Sequence, residues 1–250
     1  MAGLRGSVAV TRMDGSTLFA DYSADFEYTV MSHGSRIDKY IGSSETVIVP
    51  ASMRGEDVYQ IGANAFEGNE TIHAVVLPDT LNIISGSAFK DCIHLESINI
   101  PDGVYQIGTA AFSRTSNLKS IVLPKGVEEL DYTLFLESGI ETAEILEGTR
   151  IIGSSVFIDC ANLKNVTMAD SVEEIGYSTF DGCASLEKID FLPEGLRVIG
   201  QYASKECIGV GEIHIPGSVT EMGSNEFEDC YNVSVIHISE GLINCYINFI

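Results

Sequence analysis

Three side chains with metal-binding chemistry recur at a nearly constant interval towards the C-terminal end of this sequence. Asp190, His214 and His237 lie 24 and 23 residues apart. A carboxylate and two imidazoles are ligands that Zn²⁺ accepts, so a fold that brought them together could hold a divalent ion. Side chains stacked in register converge poorly on a tetrahedral centre, and the alternative is an exposed polar stripe with Lys188 and Glu212 beside it. We therefore predict no cofactor and keep the three residues as a weak metal candidate.

Other patterns that carry catalysis do not occur in the sequence. It contains no Gly-x-Ser-x-Gly nucleophile turn, no glycine-rich phosphate loop followed by lysine, and no His-Glu-x-x-His zinc motif. Acidic pairs occur at Glu128-Glu129 and Glu173-Glu174, at equivalent turn positions that predict a solvated face. A glycosidase would also need two carboxylates that face each other in a cleft. The chain consists of short repeated units, and an array of such units does not offer a cleft. We predict that the protein is not an enzyme.

The interval itself is the strongest signal, because phenylalanine recurs with this period over most of the chain. We call the phenylalanines that recur in this way the landmark phenylalanines. The steps between successive ones are 23, 23, 23, 22, 23 and 47 residues. The last step contains a unit in which Ser204 stands in place of phenylalanine. A period this short predicts a solenoid whose stacked coils share one core. The landmark phenylalanines are Phe66, Phe89, Phe112, Phe135, Phe157, Phe180 and Phe227.

The residue pattern of each unit predicts a strand, a residue that ends the strand, and a turn. After Phe89, the segment 98–100 reads Ile-Asn-Ile and Pro101 ends it. Alternation with period two indicates a short strand with one buried face. Around the landmark, the Ala-Phe-x-x-Cys stretch predicts a turn and then a short helical or 3₁₀ segment. We therefore predict an α/β-type or mainly β solenoid, a curved right-handed array with a concave parallel sheet and a helical, 3₁₀ or irregular convex side.

Two residues in each strand, on either side of the middle core residue, are predicted to point outwards. Strands of successive coils lie about 4.8 Å apart, so each position forms a column along the sheet. The columns are small and mostly neutral in the N-terminal half and charged in the C-terminal half, a gradient that predicts a ligand-binding face. The predicted binding residues are Ser97, Asn99, Ser120, Val122, Thr142, Glu144, Asn165, Thr167, Lys188, Asp190, Glu212, His214, Val235 and His237.

The charge of the chain limits its partners. A formal net charge of −22 over 250 residues repels phosphate backbones and anionic lipids, so we predict neither nucleic-acid binding nor direct membrane insertion. No segment approaches the roughly 18 apolar residues of a spanning helix. The N-terminus has no apolar region typical of a signal peptide, which leaves a cytoplasmic location open.

Both ends of a solenoid need protection from water. Residues 1–36 contain short strand-like segments, including one on each side of Asp14-Gly15, and we expect a β-rich capping segment there, ahead of a solenoid over residues 37–250. The chain ends at residues 243–250, inside what would be the next unit. An open core edge at this end predicts either a longer array or association with a second copy.

Five of the six cysteines lie three residues after a landmark position, and Cys245 falls where other units carry isoleucine. Both placements predict small buried side chains. Disulfides or a metal are the alternatives, and a bridge between Cys160 and Cys183 on successive coils has a plausible separation. The five cysteines in the repeat position are Cys92, Cys160, Cys183, Cys207 and Cys230.

Units of the form Ile-Gly-x-x-Ala-Phe-x-x-Cys-x-x-Leu-x-x-Ile-x-Ile-Pro resemble the BspA-like leucine-rich repeats of bacteria and protists. Residues 61–66 and Leu77-Pro78 carry the resemblance, which covers about residues 26–246. It implies a leucine-rich repeat fold, a secreted or cell-surface location and binding of other proteins or matrix, and it implies no shared catalytic residues. The departures from the pattern are Asn69, Thr115, Ser138 and Ser204.

These observations lead to three hypotheses about function. The first is a non-enzymatic module that binds a protein or glycan through its concave sheet. The second is a structural role, in which the open C-terminal end mediates homo-oligomerisation. The third is a metal-dependent activity at Asp190, His214 and His237.

Overall fold

A computed structural model describes residues 8–11, 17–20, 23–190 and 192–241. These residues contain short β-strands and one turn of 3₁₀ helix at Ser23–Asp25. The predicted turn at Asp14-Gly15, Cys245 and the predicted edge at residues 243–250 lie outside the described residues. The strands are β1 (Val8–Thr11), β2 (Thr17–Ala20), β3 (Phe26–Met31), β4 (Gly34–Tyr40), β5 (Thr46–Ile48), β6 (Ser52–Met53), β7 (Glu56–Ile61), β8 (Ala74–Val76), β9 (Ile83–Ile84), β10 (Ser97–Ile98), β11 (Gln106–Ile107), β12 (Ser120–Leu123), β13 (Glu129–Leu130), β14 (Thr142–Ile145), β15 (Ile151–Ile152), β16 (Asn165–Met168), β17 (Glu174–Ile175), β18 (Lys188–Ile189), β19 (Val198–Ile199), β20 (Glu212–Ile215), β21 (Glu221–Met222) and β22 (Val235–Ile238).

The N-terminal strands of the described chain pair antiparallel, and so do β6 and β7, whereas the other described pairings are parallel. β1 pairs with β2, with Val8 opposite Ala20, as predicted for the two sides of the hairpin. β3 and β4 form a second antiparallel pair, and β4 continues in parallel onto β7. This second pair therefore adds to the end of a sheet of the solenoid. The proposed domain boundary between residues 36 and 37 stays a prediction.

Two sets of parallel strands run along the solenoid, which has about nine turns. The concave sheet consists of β5, β8, β10, β12, β14, β16, β18, β20 and β22. A second set, which we call the outer sheet, runs from β7 through β9, β11, β13, β15, β17 and β19 to β21. Inward side chains of both sets meet in one core that runs through the array, which confirms the predicted solenoid.

The convex side is built from consecutive turns. The short helical or 3₁₀ segment predicted around each landmark is not formed in the described residues. In each turn the residues two before and two after the landmark are left-handed, for example Ser87 and Asp91 with φ of 56° and 58° around Phe89. A right-handed helix cannot contain such residues. The turn bonds instead to the next coil, since the Phe89 amide donates to the Ala111 carbonyl over 2.8 Å.

The landmark rings stack along this convex side. Successive ring centroids from Phe89 to Phe180 are 5.5, 5.8, 5.2 and 5.5 Å apart. Parallel strands lie about 4.8 Å apart, so the array is longer on the ring side and curves towards the concave sheet. Tyr40 extends the stack beyond Phe66 at 5.5 Å, although its position was predicted as a strand and not as a landmark.

The cysteines link successive coils as free thiols. The Cys92 Sγ donates to the carbonyl of Phe66, the landmark of the preceding coil, over 3.0 Å. Cys160, Cys183, Cys207 and Cys230 make the same contact with their preceding coil. Burial raises the pKa of the Cys92 thiol to about 12. The predicted small buried side chains are confirmed, and the Cys160–Cys183 bridge is not formed.

Two interruptions divide the concave sheet into three groups of three strands. Within the described part of the chain, no strand pairing joins β16 to β18 or β10 to β12. Between β16 and β18, the neighbouring strands β17 and β19 remain paired in the outer sheet. Between β10 and β12, the outer sheet is interrupted as well, because β11 and β13 do not pair with each other in the described residues. We call this interface, between residues 93–107 and 116–131, the seam.

Candidate binding surface

The structure places all fourteen predicted binding residues on the solvent side of the concave sheet. In β14, Thr142 and Glu144 are exposed whereas Ala143 and Ile145 are buried. The same alternation occurs in β12, β16 and β20. Burial of every second residue anchors each strand, because a slip of one residue would turn the apolar side chains to water. The predicted orientation is confirmed, and the ligand-binding role stays a prediction.

The columns are continuous only within each group of three strands. In the middle group, Val122 lies opposite Glu144, and Glu144 lies opposite Thr167. In the C-terminal group, Lys188 lies opposite Glu212 and His214 opposite His237. The fourteen residues therefore form three adjoining patches, and the first boundary between patches is the seam.

One predicted binding residue is already engaged within the protein. The Asn99 side-chain amide accepts from the Leu77 amide at 2.8 Å and donates to the Leu77 carbonyl at 3.1 Å. It thereby extends the pairing of β10 with β8 beyond the two residues of the backbone ladder. Asn99 is exposed on the surface, but its hydrogen-bonding groups are directed to the preceding coil.

The weak metal candidate consists of side chains that bind other neighbours. The Asp190 carboxylate binds the Lys188 ammonium, and this hydrogen bond raises the pKa of Lys188. The His237 Nε2 lies 3.0 Å from the Glu212 Oε1, while the His214 and His237 rings are tilted with centroids 5.9 Å apart. In the described residues, no three His, Cys, Asp or Glu side chains are grouped to hold a metal ion. The arrangement matches the polar stripe better than the metal site.

A groove opens on the concave side of the seam, and no sequence signal pointed to it. Its volume is about 300 Å³. The steps from Phe89 to Phe112 and from Phe112 to Phe135 are both 23 residues, so no insertion marks the place. The walls of the groove are Ile98, Asn99, Ile100, Asp102, Ser120, Ile121, Val122, Pro124 and Leu146.

A second groove of about 320 Å³ opens on the outer side of the same seam, lined by Tyr105, Gln106, Ile107, Glu128, Glu129 and Asp131. Its acidic residues continue into a ladder of ion pairs, in which Arg150 contacts Glu128 at 3.5 Å and Glu173 at 2.9 Å. The hydrogen bond from Arg150 lowers the pKa of Glu173. The acidic pairs thus lie on the predicted solvated face, where such ion pairs contribute little to stability.

Parallel strands in stacked coils, turns on the convex side and an exposed sheet face define a leucine-rich repeat protein. The BspA-type leucine-rich repeat region matches the chain in six copies, over residues 43–164 and 129–248. The chain belongs to this family, which confirms the resemblance drawn from the sequence. No curated protein matches the chain significantly.

Solved bacterial leucine-rich repeat proteins share the fold. The protein from T. pallidum is 26% identical, with a TM-score of 0.69 over 84% of this chain and 89% of that chain. The protein from Bacteroides ovatus is 24% identical, with a TM-score of 0.63 over 86% of this chain and 70% of that chain. One from Eubacterium ventriosum is 16% identical, with a TM-score of 0.57 over 86% of this chain and 72% of that chain.

Across the residues that the structure describes, no helix is long and apolar enough to cross a membrane.

Proposed function

We propose that this protein is a non-enzymatic recognition module that binds a protein or glycan ligand through its concave sheet at a bacterial cell surface. The observation that carries the proposal is the exposed face itself, where fourteen outward side chains alternate with buried ones along stacked strands. The core uses the inward residues, so the outward ones are free to differ from coil to coil. Membership of the BspA-type family supports the binding role and the surface location.

The chemistry of the face favours recognition over catalysis. Val122, Thr142 and Thr167 offer small, partly apolar contacts, whereas the C-terminal patch offers charges paired with one another. Such a face suits a broad interface in which many modest contacts add to the affinity. An open sheet also excludes water less than a closed pocket does, and this disfavours chemistry at the Asp190–His214–His237 column.

The proposal is tested by reversing charge on one sheet and then on the other. Wild-type protein is first screened on arrays of extracellular proteins and glycans. The retained ligand is then measured against a concave variant, Glu144→Lys with Glu212→Lys, and an outer-sheet variant, Glu129→Lys with Glu174→Lys. All four glutamates are exposed, and both variants change the net charge equally.

We expect the concave variant to lose about tenfold or more in affinity and the outer-sheet variant to bind like wild type. Equal loss in both would indicate attraction by net charge alone and contradict the proposal. Size-exclusion chromatography of each variant separates recognition from the self-assembly hypothesis, because a change in oligomer size would accompany the loss only in the second case. Elemental analysis of protein purified without added metal tests the metal hypothesis, which requires a stoichiometric ion.

A further inference from the structure

The backbone hydrogen bonds that join the two coils of the seam lie on its convex side. On the convex side, the amides of Ser87, Phe89 and Asp91 donate to the next coil at 2.9, 2.8 and 2.9 Å. On the sheet side, no strand pairing joins β10 to β12 or β11 to β13 in the described chain. The thiol link of other coils is replaced here, because Thr115 takes the cysteine position and donates to the Phe112 carbonyl of its own coil. Arg114 instead links the coils on the convex side, by a 3.2 Å contact with Asp91. Hydrogen bonding between the two coils is therefore concentrated on the side of the ring stack.

Two inward side chains beside the seam are less buried than their counterparts in the next coil. Ile98 and Ile100 point inwards like their counterparts, yet both are only partly buried. The residues in the same places on the next strand, Ile121 and Leu123, have 4% and 0% of their surface exposed. The two isoleucines form an apolar wall of the concave groove, across which Val122 and Leu146 lie.

The groove also presents two strand edges that lack partners. An interior strand such as β14 pairs on both edges, with β12 and with β16. Among the described residues, β10 pairs only with β8 and β12 only with β14, so the edges that face each other across the seam have no strand partner there. An unpaired edge next to apolar side chains is the surface to which an extended peptide adds as a strand.

We propose that the concave groove at the seam binds an extended peptide segment of a partner protein, which pairs with the free edges of β10 and β12 and buries an apolar side chain against Ile98, Ile100 and Val122. This proposal rests on recognition by the concave sheet and names its site and ligand class. The segment carries lysine or arginine beside its apolar residues, because Asp102 lies at the groove and the chain has a net charge of −22. The same charge disfavours a second copy as the occupant, since two such chains repel each other.

The probe is a capped synthetic peptide of alternating valine and lysine, about nine residues long, which matches the length of a strand. Its control has the same sequence and charge, with methyl groups on alternate backbone nitrogens that remove the donors. Binding to the 250-residue chain is measured by fluorescence anisotropy in about 0.15 M salt, which screens long-range attraction. We expect the unmodified peptide to bind about tenfold or more tightly than the methylated one, and to slow hydrogen exchange at residues 97–100 and 120–123.

Two valines in equivalent outward places provide a matched pair of variants. Val122 lines the groove and is 53% exposed, whereas Val76 is 46% exposed on β8, which is paired on both edges. We expect Val122→Asn to weaken the peptide about fivefold or more and Val76→Asn to leave its affinity unchanged. Thermal unfolding of both variants checks that neither change alters the fold.

Three results would overturn the proposal: no binding of the peptide, equal binding of the methylated peptide, or equal weakening by the two valine variants. Equal weakening would still leave recognition by the concave sheet intact. If charge reversal on the concave sheet weakens the array-selected ligand but the peptide does not bind, the peptide site at the seam is likewise rejected. Ligand recognition by the concave sheet is then still supported. A different result would separate the two proposals in the other direction. If the peptide binds in a way that depends on Val122, and charge reversal on the concave sheet leaves the affinity for the array-selected ligand unchanged, the peptide site at the seam is supported and recognition by the wider concave face is rejected.

Discussion

The rings of Phe89 and Phe112 stack with centroids 5.5 Å apart and planes within 2° of parallel, although the strands that follow them are not paired. The convex side thus crosses the seam without interruption while both sheets stop there. In a solenoid, stability is close to a sum over neighbouring coils. The seam is therefore the interface that depends most on its ring stack.

Removal of the Phe112 ring should lower the free energy of unfolding by about 3–5 kcal/mol, since the side chain is fully buried. Because strand pairing does not support the seam, we also expect residues 40–92 and 135–190 to unfold separately in Phe112→Ala. Phe135→Ala is the control, since paired strands flank its coil on both sides. Hydrogen exchange followed through a denaturant series measures the free energy of unfolding of each of the two segments. A single shared transition in both variants would contradict the special dependence of the seam.

Glu226 is a buried carboxyl in the place where other coils have alanine, such as Ala88 and Ala111. It has no exposed surface, and neither carboxylate oxygen has a hydrogen-bond partner in the described residues. We expect Glu226→Ala to stabilise the protein at neutral pH by about 1–3 kcal/mol, because an unpaired buried polar group is removed. Glu221→Ala, on the exposed surface of the outer sheet, is the control and should have little effect.

The same carboxyl gives the stability a pH dependence. Burial raises the pKa of Glu226 above its ordinary value of 4.5, so the folded state retains the proton at a pH where the unfolded chain has released it. The wild type should therefore lose stability relative to Glu226→Ala as the pH rises from about 4.5 to the raised pKa of the folded state. Denaturant midpoints of wild type and Glu226→Ala across this range measure the difference, and parallel pH profiles of the two proteins would contradict the role of Glu226.

Thr133 holds a left-handed backbone conformation with φ of 52°. Its counterparts in two other coils are Asn64 and Asn225, with φ of 58° and 64°. A β-branched residue is strained in this region whereas asparagine tolerates it. We expect Thr133→Asn to stabilise the protein by about 0.5–1 kcal/mol, measured by chemical denaturation. Thr142→Asn, in the centre of the concave sheet, should instead be neutral or destabilising, and a gain at both places would refute the backbone argument.

The five described cysteines should resist modification in the folded protein. Burial raises the pKa of Cys160 and Cys230 to about 11, and the thiolate is the reactive form. In a Cys245→Ser variant, a thiol reagent at mildly alkaline pH should therefore titrate no cysteine before denaturant is added and all five afterwards. Rapid modification without denaturant would show that the coils open readily at the thiol ladder.

The repeat pattern predicted the buried face of the strands, because burial at most repeat positions follows residue type and spacing. Glu226, which is buried, and Ile98 and Ile100, which are partly exposed, depart from it. A period of 23 residues, set by the landmark phenylalanines, predicted the solenoid, and alternation of apolar side chains predicted the exposed columns. Even Thr142–Ile145, which reads as a weak strand, pairs on both edges. Its register follows from the strands of its neighbours and not from its own propensity.

The bonding between neighbouring coils became visible from their arrangement in space. The seam falls between two units of equal length, where Asn99 bonds backwards to Leu77 and Thr115 bonds within its own coil. The left-handed turns and the entry of Tyr40 into the ring stack have the same origin. Hydrogen bonds between coils depend on where each donor meets an acceptor in space, and residue type along the chain leaves that choice open.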